Sequence, residues 1–414
     1  MRALVVGGGV VGVTTAYYLA REGVEVELVE SAPEVGTDAT AGNAGLIAPG
    51  HSFAWASPRA PGMLLRSLFG KQTAIQVRLR LDPELLGWGL RFLRECTSDR
   101  AVRNTLVKLR ICRYSQQQLD ALAQAEGIDY LDGHSGILYL YRDPHELDLG
   151  AKKMELLAEH GQEIDVLDAA GVAALEPALA PMQARIAGAV YSPTDGSGSS
   201  QVFTQKVAAA CERLGATIRA GTPVTSLRAD GNRITGAVTD AETLTADVYV
   251  LAAGVGSTAL ARTIGVKLPI YPAKGYSITF PLTGGPAPVV GGVDEAPLVA
   301  WSRLGDRLRM TSTAEFAGYD RTAPETSFAG ILRVARELFP EAADYERGER
   351  RACLRPMTPD GPPVLGTGRY ANLYFNTGHG HMGWTMACGS SRAVADLIQG
   401  RRPELDLAGT EYRW

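Results

Sequence analysis

The stretch ALVVGGGVVGVTTAYYLAREGVEVELVE, residues 3–30, decides the fold. Ala3–Val6 reads as a short apolar strand, residues 13–22 as a helix, and Val24–Val29 as a second strand that stops at Glu30. Gly7, Gly9 and Gly12 form GxGxxG between the first strand and the helix, and Val10 and Val11 complete that turn. Gly7 permits a tight turn, Gly9 keeps a side chain out of the path of a pyrophosphate, and Gly12 lets helix and strand approach. Free N–H groups and the positive helix end then meet phosphate charge. Glu30, 18 residues beyond Gly12, sets a carboxylate where it can hold a ribose 2′-hydroxyl, and its charge opposes a 2′-phosphate. GxGxxG alone is weak, and a purely structural glycine turn is its plain alternative. With strand, helix and acid all in place, the unit reads as a dinucleotide site.

The whole chain has 414 residues, 45% hydrophobic and 21% charged, with a net charge of −4. A chain of this size buries about three quarters of its unfolded surface. It accommodates two domains, or one domain with a large insertion. The mild acidity argues against a nucleic-acid partner. Cys96, Cys112, Cys211, Cys353 and Cys388 are scattered without a CxxC pair, which signals neither a zinc nor an iron–sulfur site and fits a reducing compartment. The start, MRALVVGGGVVG, has the charge and apolar run of a signal peptide but leads straight into the glycine fingerprint, so it reads as part of the fold. No apolar run reaches the roughly 18 residues that span a bilayer. The expected location is cytoplasmic. A peripheral contact with the inner membrane stays open through residues 59–71, RAPGMLLRSLFGK, where Met63, Leu64, Leu65, Leu68 and Phe69 mix with Arg59, Arg66 and Lys71. A loop helix packed on its own protein is the other reading.

Further along, TDATAGNAGLIAPG at 37–50 brings small residues that let backbone approach a flat ligand, with Thr40 and Asn43 as hydrogen-bond donors to it. Residues 84–127 read as mainly helical, 136–142 as a strand and 145–160 as helix. A second nucleotide-side unit runs from a helix at 202–214 through a strand near 216–220 and short strands at 224–227 and 234–239. It ends in the apolar strand ADVYVLAAG, 246–254, whose Ala253 and Gly254 mark a sheet edge of the kind where ligands bind. Residues 270–280 and 298–313 read as longer strands and 326–339 as helix. Tyr271, Tyr276, Trp301 and Arg303 belong to these strands, either over a ligand or in the core. Nucleotide-type units thus interleave with other segments.

The chain resembles the D-amino-acid oxidase superfamily of FAD enzymes, and most of all its bacterial D-amino-acid dehydrogenases, over nearly its whole length. The matching stretches are VVGGGVVGV (5–13), GNAGLIAPG (42–50), DGSGSSQVFTQ (195–205), KGYSIT (274–279), LRPMTPDGPPVLG (354–366) and NTGHGHMGWTMACGS (376–390). The resemblance implies an α/β fold: a Rossmann-like FAD-binding domain (1–80, 190–265, 350–414) interleaved with a mixed-sheet α+β substrate-binding domain (81–189, 266–349) carrying a helical insertion. It implies that Gly7, Gly9, Gly12 and Glu30 hold the adenosine diphosphate half of FAD and that backbone near Val224 meets the adenine. Thr40, Asn43, Ala44, Gly45 and Leu46 would line the phosphate and flavin path. Gly378, His379, Gly380, Met382, Gly383, Trp384 and Thr385 would lie by the ribityl chain and the flavin pyrimidine edge, where a helix starting near Gly383 opposes negative charge on the reduced ring. His379 and His381 lack a nearby carboxylate pair, so no metal is expected.

By the same resemblance Arg355 grips the substrate α-carboxylate with two parallel donors, its loop held by Pro356 and Pro359. Tyr276 is a second carboxylate or amine contact, and His51 and Tyr319 are further pocket candidates. The implied reaction is oxidative deamination of D-amino acids to 2-oxo acids and ammonia by hydride transfer from Cα to flavin N5, with electrons passed to a quinone or another carrier. A specialist for D-proline or cis-4-hydroxy-D-proline giving a cyclic imine, a glycine- or sarcosine-type oxidase, and a flavin subunit of a larger electron-transfer complex are the alternatives within that chemistry. An NAD-binding regulator is the alternative outside it, and it needs neither Arg355 nor GHGHMGWT. Cys353 departs from the dehydrogenase pattern, because sarcosine-oxidase-like relatives link the matching cysteine to flavin. The surrounding LRPMTPDG matches the non-covalent branch, so non-covalent FAD is the expectation and a Cys353 link the alternative.

Overall fold

The structure, a computed structural model, describes residues 1–68, 75–78 and 81–412. The fingerprint builds the centre of a six-stranded sheet. Its strands run, in spatial order, Val364–Thr367, Leu373–Thr377, Val248–Leu251, Arg2–Val6, Glu25–Val29 and Thr217–Arg219. All pairs are parallel except the first. Helices α1 (Val10–Arg21), α7 (Ser200–Arg213) and α10 (Gly383–Ile398) cover one face. The other face carries α8 (Gly256–Thr263) and a three-stranded antiparallel sheet at 224–244. Both faces are therefore dry, and Leu4, Val5, Leu28 and Val250 are all at 1% exposure or less, as a parallel sheet requires.

The second sheet is larger and mostly antiparallel. Its order is Glu349–Met357, Tyr271–Pro281, Arg307–Phe316, Val299–Leu304, Gly291–Asp294, Ile137–Tyr141, Gly188–Ser192 and Asp165–Asp168, with Ile75–Val77 added beside Arg307–Phe316. Helix α9 (Ala329–Leu338) packs on one face through Ile331, Val334 and Leu338. The remaining helices are α2 (Ala60–Leu68), α3 (Pro83–Glu95), α4 (Ser98–Glu126), α5 (Pro144–Ala158) and α6 (Ala169–Leu175). Although α4 lies inside the segment grouped with the substrate side, its Leu119 and Leu122 pack in the nucleotide-side core. The division at 349/350 also cuts through the Glu349–Met357 strand, which belongs to the second sheet.

Several elements differ from the sequence reading. Helix α1 begins at Val10, not at residue 13, because Gly9 already has the extended backbone of an N-cap. The strand expected at 298–313 is a hairpin, with Gly305 at φ +63° turning Leu304 back toward Arg307. Helix 84–127 breaks at residues 96–97, and α4 then ends on left-handed Gly127. In the 59–71 segment, Met63 faces the large cavity and Leu64 packs on the Trp88–Phe92 cluster. The side chains of 65–68 and residues 69–74 lie outside the described residues.

Candidate active site

A cavity of about 1310 Å³ opens where the carboxyl ends of the first sheet meet the second. At its first-sheet end, Gly7 sits at φ +115°, and a Cβ there would come within 2.6 Å of the Ala252 carbonyl. Gly12 lies beneath it: a Cβ would come within 1.8 Å of the Gly7 carbonyl. Helix α1 has no acid in its first turn and no side-chain cap, so its amino end faces the cavity undischarged, apart from Val10 N–H donating to Thr40 Oγ1 at 3.0 Å. The Glu30 carboxylate accepts from Gly8 N–H at 2.5 Å and from Ala32 N–H at 2.8 Å. Thr222, Val224 and Thr225 also line this end, Thr222 N–H donating to the Glu30 carbonyl at 2.7 Å.

The middle of the cavity is walled by the 37–46 loop and the loop leading into α10. Asn43 Nδ2 donates to Thr40 O at 2.6 Å and to Ser200 Oγ, and its Oδ1 accepts from Gly45 N–H at 2.6 Å. Half-buried Arg309 reaches across from the second sheet and donates to the carbonyls of Ala41 and Asn43, both at 2.8 Å. On the other wall, Ala253, Gly254, Gly378, His379, Gly380, Met382, Gly383, Trp384 and Thr385 line the space. Helix α10, like α1, starts without an acid or a side-chain cap.

Cys353 and Arg355 enter from the edge strand of the second sheet. Arg355 is directly opposite Ala273, and Cys353 is opposite Gly275. The guanidinium lies across Gly275, where a Cβ would stand 2.4 Å from Nη2. Burial lowers the pKa of Arg355 and raises that of the Cys353 thiol. Beyond them His381 stacks on Trp55 at 4.8 Å between ring centroids and meets His51 edge-on at 5.9 Å. His51 in turn stacks on Tyr139 at 5.7 Å, and Tyr139 donates to buried Asp195 at 3.0 Å. Burial, helped by the Lys153 and Lys108 charges, pushes His51 down to about 3, and burial alone does the same to His379. Burial leads the lowering of His381 too, with Lys108, His51 and Arg355 adding to it. These imidazoles are neutral at pH 7. Burial raises Asp195 to about 7, against hydrogen bonds from Gly50 N–H and Tyr139 that hold it down.

Not every sequence candidate reaches the cavity. Tyr276 is the clear correction. Along a strand successive side chains alternate faces, and Tyr276 follows Gly275, so it points away from Arg355. It is buried against Phe328 and donates to the Glu315 carboxylate. Gly12 and Gly45 also lie off the lining. Gly12 serves the contact beneath Gly7, and Gly45, at φ +77°, packs against Ser302. Asn43 lines the cavity, but its amide is committed to the loop instead of projecting as a donor to a ligand. Arg355 stands on a strand and not on a proline-held loop, and Pro356 is tolerated there because the strand is at the sheet edge. His51 lines the substrate end, and Tyr319 stands at the rim, 47% exposed. Sequence reasoning missed Phe53, Trp55, Lys153 and Glu295, whose separate elements meet only through the fold.

The cavity suits a dinucleotide with a flat ring system. It is larger than the roughly 300–1,000 Å³ of an ordinary small-molecule pocket. Two helix amino ends and a glycine cradle face it, and the buried His381 Nε2 and Trp384 Nε1 have no hydrogen-bond partner among the described residues. Fold and cavity together define a dinucleotide-dependent enzyme with an inserted substrate sheet. The model of the FAD dependent oxidoreductase family (DAO) matches residues 2–397. The chain is 47% identical to a protein of Mesorhizobium japonicum named D-amino acid dehydrogenase 2, over 416 aligned residues and 100% of both chains. It is 44% identical to a D-amino acid dehydrogenase of Methylobacterium nodulans, covering 100% of this chain and 99% of the other. Glycine oxidase from Geobacillus kaustophilus shares the fold with a TM-score of 0.78 at 23% identity, covering 100% of this chain and 98% of that one. The chain belongs to the FAD-dependent oxidoreductase family, and its cofactor is FAD.

Proposed function

We propose that this enzyme is a D-amino-acid dehydrogenase, which oxidises D-amino acids at Cα to 2-oxo acids and ammonia and passes the electrons to a quinone or another carrier. The observation that carries this reading is that Arg355 enters the cavity that the glycine fingerprint opens. The full-length relatives named D-amino acid dehydrogenase support the substrate class and its handedness. Gly7, Gly9, Val10, Val11, Glu30 and Val224 would hold the adenosine diphosphate half of FAD. Thr40, Ala44, Leu46, Ala253, Gly254, Cys353 and residues 378–385 would enclose the rest. Bound FAD supplies the hydride acceptor. Arg355 pairs with the α-carboxylate in fork geometry and fixes where Cα sits. The neutral His51 and His381 rings, with Trp55, form a wall that takes no proton from the substrate at neutral pH and leaves its amine free to form the imine. Electron delivery at the cytoplasmic face of the inner membrane is supported by α3, which turns Leu86, Leu90 and Leu93 outward at 64%, 63% and 48% exposure. Among the described residues no helix is long and apolar enough to cross a membrane.

The test is anaerobic bleaching of the flavin spectrum by amino acids in both enantiomers, proline and 4-hydroxyproline included. Bleaching by D- and not L-forms is expected, and bleaching by cyclic D-imino acids alone would narrow the substrate. Arg355→Met should weaken the apparent affinity by about 10- to 100-fold, the worth of a charge-assisted pair. Reduction by L-amino acids alone, or no reduction at all, would remove this reading.

A further inference from the structure

The cavity also holds two charges that the reaction above does not use. Lys153 rises from α5 and sets its ammonium 3.9 Å from the centroid of the Phe53 ring. Glu295 follows the Gly291–Asp294 strand, and both residues line the cavity. Arg355, His51 and His381 line the same cavity as this pair.

Lys153 and Glu295 feel each other's charge. Yet the two form no salt bridge, and neither side chain has a hydrogen bond with any other described residue. The neighbouring Asp294 shows the contrast, since it is fully engaged by Arg142 at 2.6 Å. Lys153 is exposed and Glu295 half-buried, both line the cavity, and desolvation there lowers the pKa of Lys153 and raises that of Glu295. A substrate that fills the cavity displaces the water around both charges, which is costly unless the substrate itself hydrogen-bonds to them.

We propose that Lys153 and Glu295 are specificity-determining residues that select D-amino acids bearing an uncharged hydrogen-bonding side chain, a hydroxyl above all. A hydroxyl accepts from the ammonium while donating to the carboxylate, so one group satisfies both. An apolar side chain leaves both charges unpaired. A carboxylate side chain meets Glu295, and an ammonium side chain meets Lys153. Arg355, lining the same cavity, fixes the α-carboxylate, which sets the orientation in which the side chain arrives. The inference rests on the D-amino-acid reading of the site and adds the substrate's side-chain class to it.

The experiment compares substrates that differ by one hydroxyl, using anaerobic stopped-flow reduction of the holoenzyme. The pairs are D-serine with D-alanine, D-threonine with D-valine, and cis-4-hydroxy-D-proline with D-proline. The measured quantity is the ratio of second-order reduction rate constants within each pair. We expect the hydroxylated member to lead by about tenfold or more in at least one pair, as a site built to hydrogen-bond its substrate discriminates. Lys153→Met and Glu295→Met should each bring that ratio close to one. Ratios of one or less in every wild-type pair, or a preference unchanged in both variants, would overturn the proposal. The wild-type ratios do not depend on either variant folding. If no D-amino acid reduces the flavin, the functional reading falls and takes this one with it. Reduction without hydroxyl preference sinks this inference alone.

Discussion

Arg355 and Cys353 are two residues apart because they sit on a strand, where positions i and i+2 share a face. That face looks into the cavity, and the paired Ala273 and Gly275 share it. Tyr276, one position on, is turned into the core with Phe328. His379 shows what burial does to a single side chain. It is 3% exposed, bonds Ser390 Oγ through Nε2 at 2.9 Å, and is pushed down to about 3 from 6.5. Below pH 6.5 the unfolded chain takes up a proton that the folded chain refuses, so stability is lost as pH falls from about 6.5 toward 3. His379→Gln should flatten the fall of Tm between pH 7 and pH 4.5. Parallel Tm–pH curves for the two proteins would contradict this assignment.

At the scale of elements, the Tyr271–Pro281 strand positions Arg355 through what it lacks. Gly275 has no side chain, and the guanidinium occupies the space that a Cβ would fill. Gly275→Ala must move either the fork or the strand. We expect the substrate Kd, measured by reductive titration, to rise about tenfold, with a stability loss of about 1–3 kcal/mol typical of overpacking. An unchanged Kd would show that Arg355 does not depend on this gap. The amino ends of α1 and α10 are a second element-scale device. Neither carries an acid in its first turn, so both keep their positive ends for an anionic ligand.

For the whole molecule, the consequence is that the cofactor cavity is also the joint between the two sheets. A ligand held by both sheets stabilises the folded chain by mass action. Removing FAD and titrating it back should raise Tm by about 5 °C or more at saturating FAD. Flavin that stays with the acid-precipitated protein would instead indicate the covalent link through Cys353.

Much of the first sheet was legible from residues 3–30, because a strand, a glycine turn, a helix and an acid are consecutive and each is set by local chemistry. The helix start at Val10 was missed by three residues, since the cap is backbone geometry and not a side-chain signal. The C-terminal loop was legible as a motif. Tyr276 was misplaced because its partner strand, and hence its face, is fixed by residues about 75 positions away. Lys153, Glu295, Phe53 and Trp55 carry no local signature at all. The amino-acid order by itself determined the dinucleotide unit, the glycine cradle and the identity of the guanidinium, because these depend on neighbours along the chain. Only the tertiary structure decided which side chains share the cavity and which of its charges are left without a hydrogen bond. Those outcomes depend on strand pairing and burial between segments far apart in sequence.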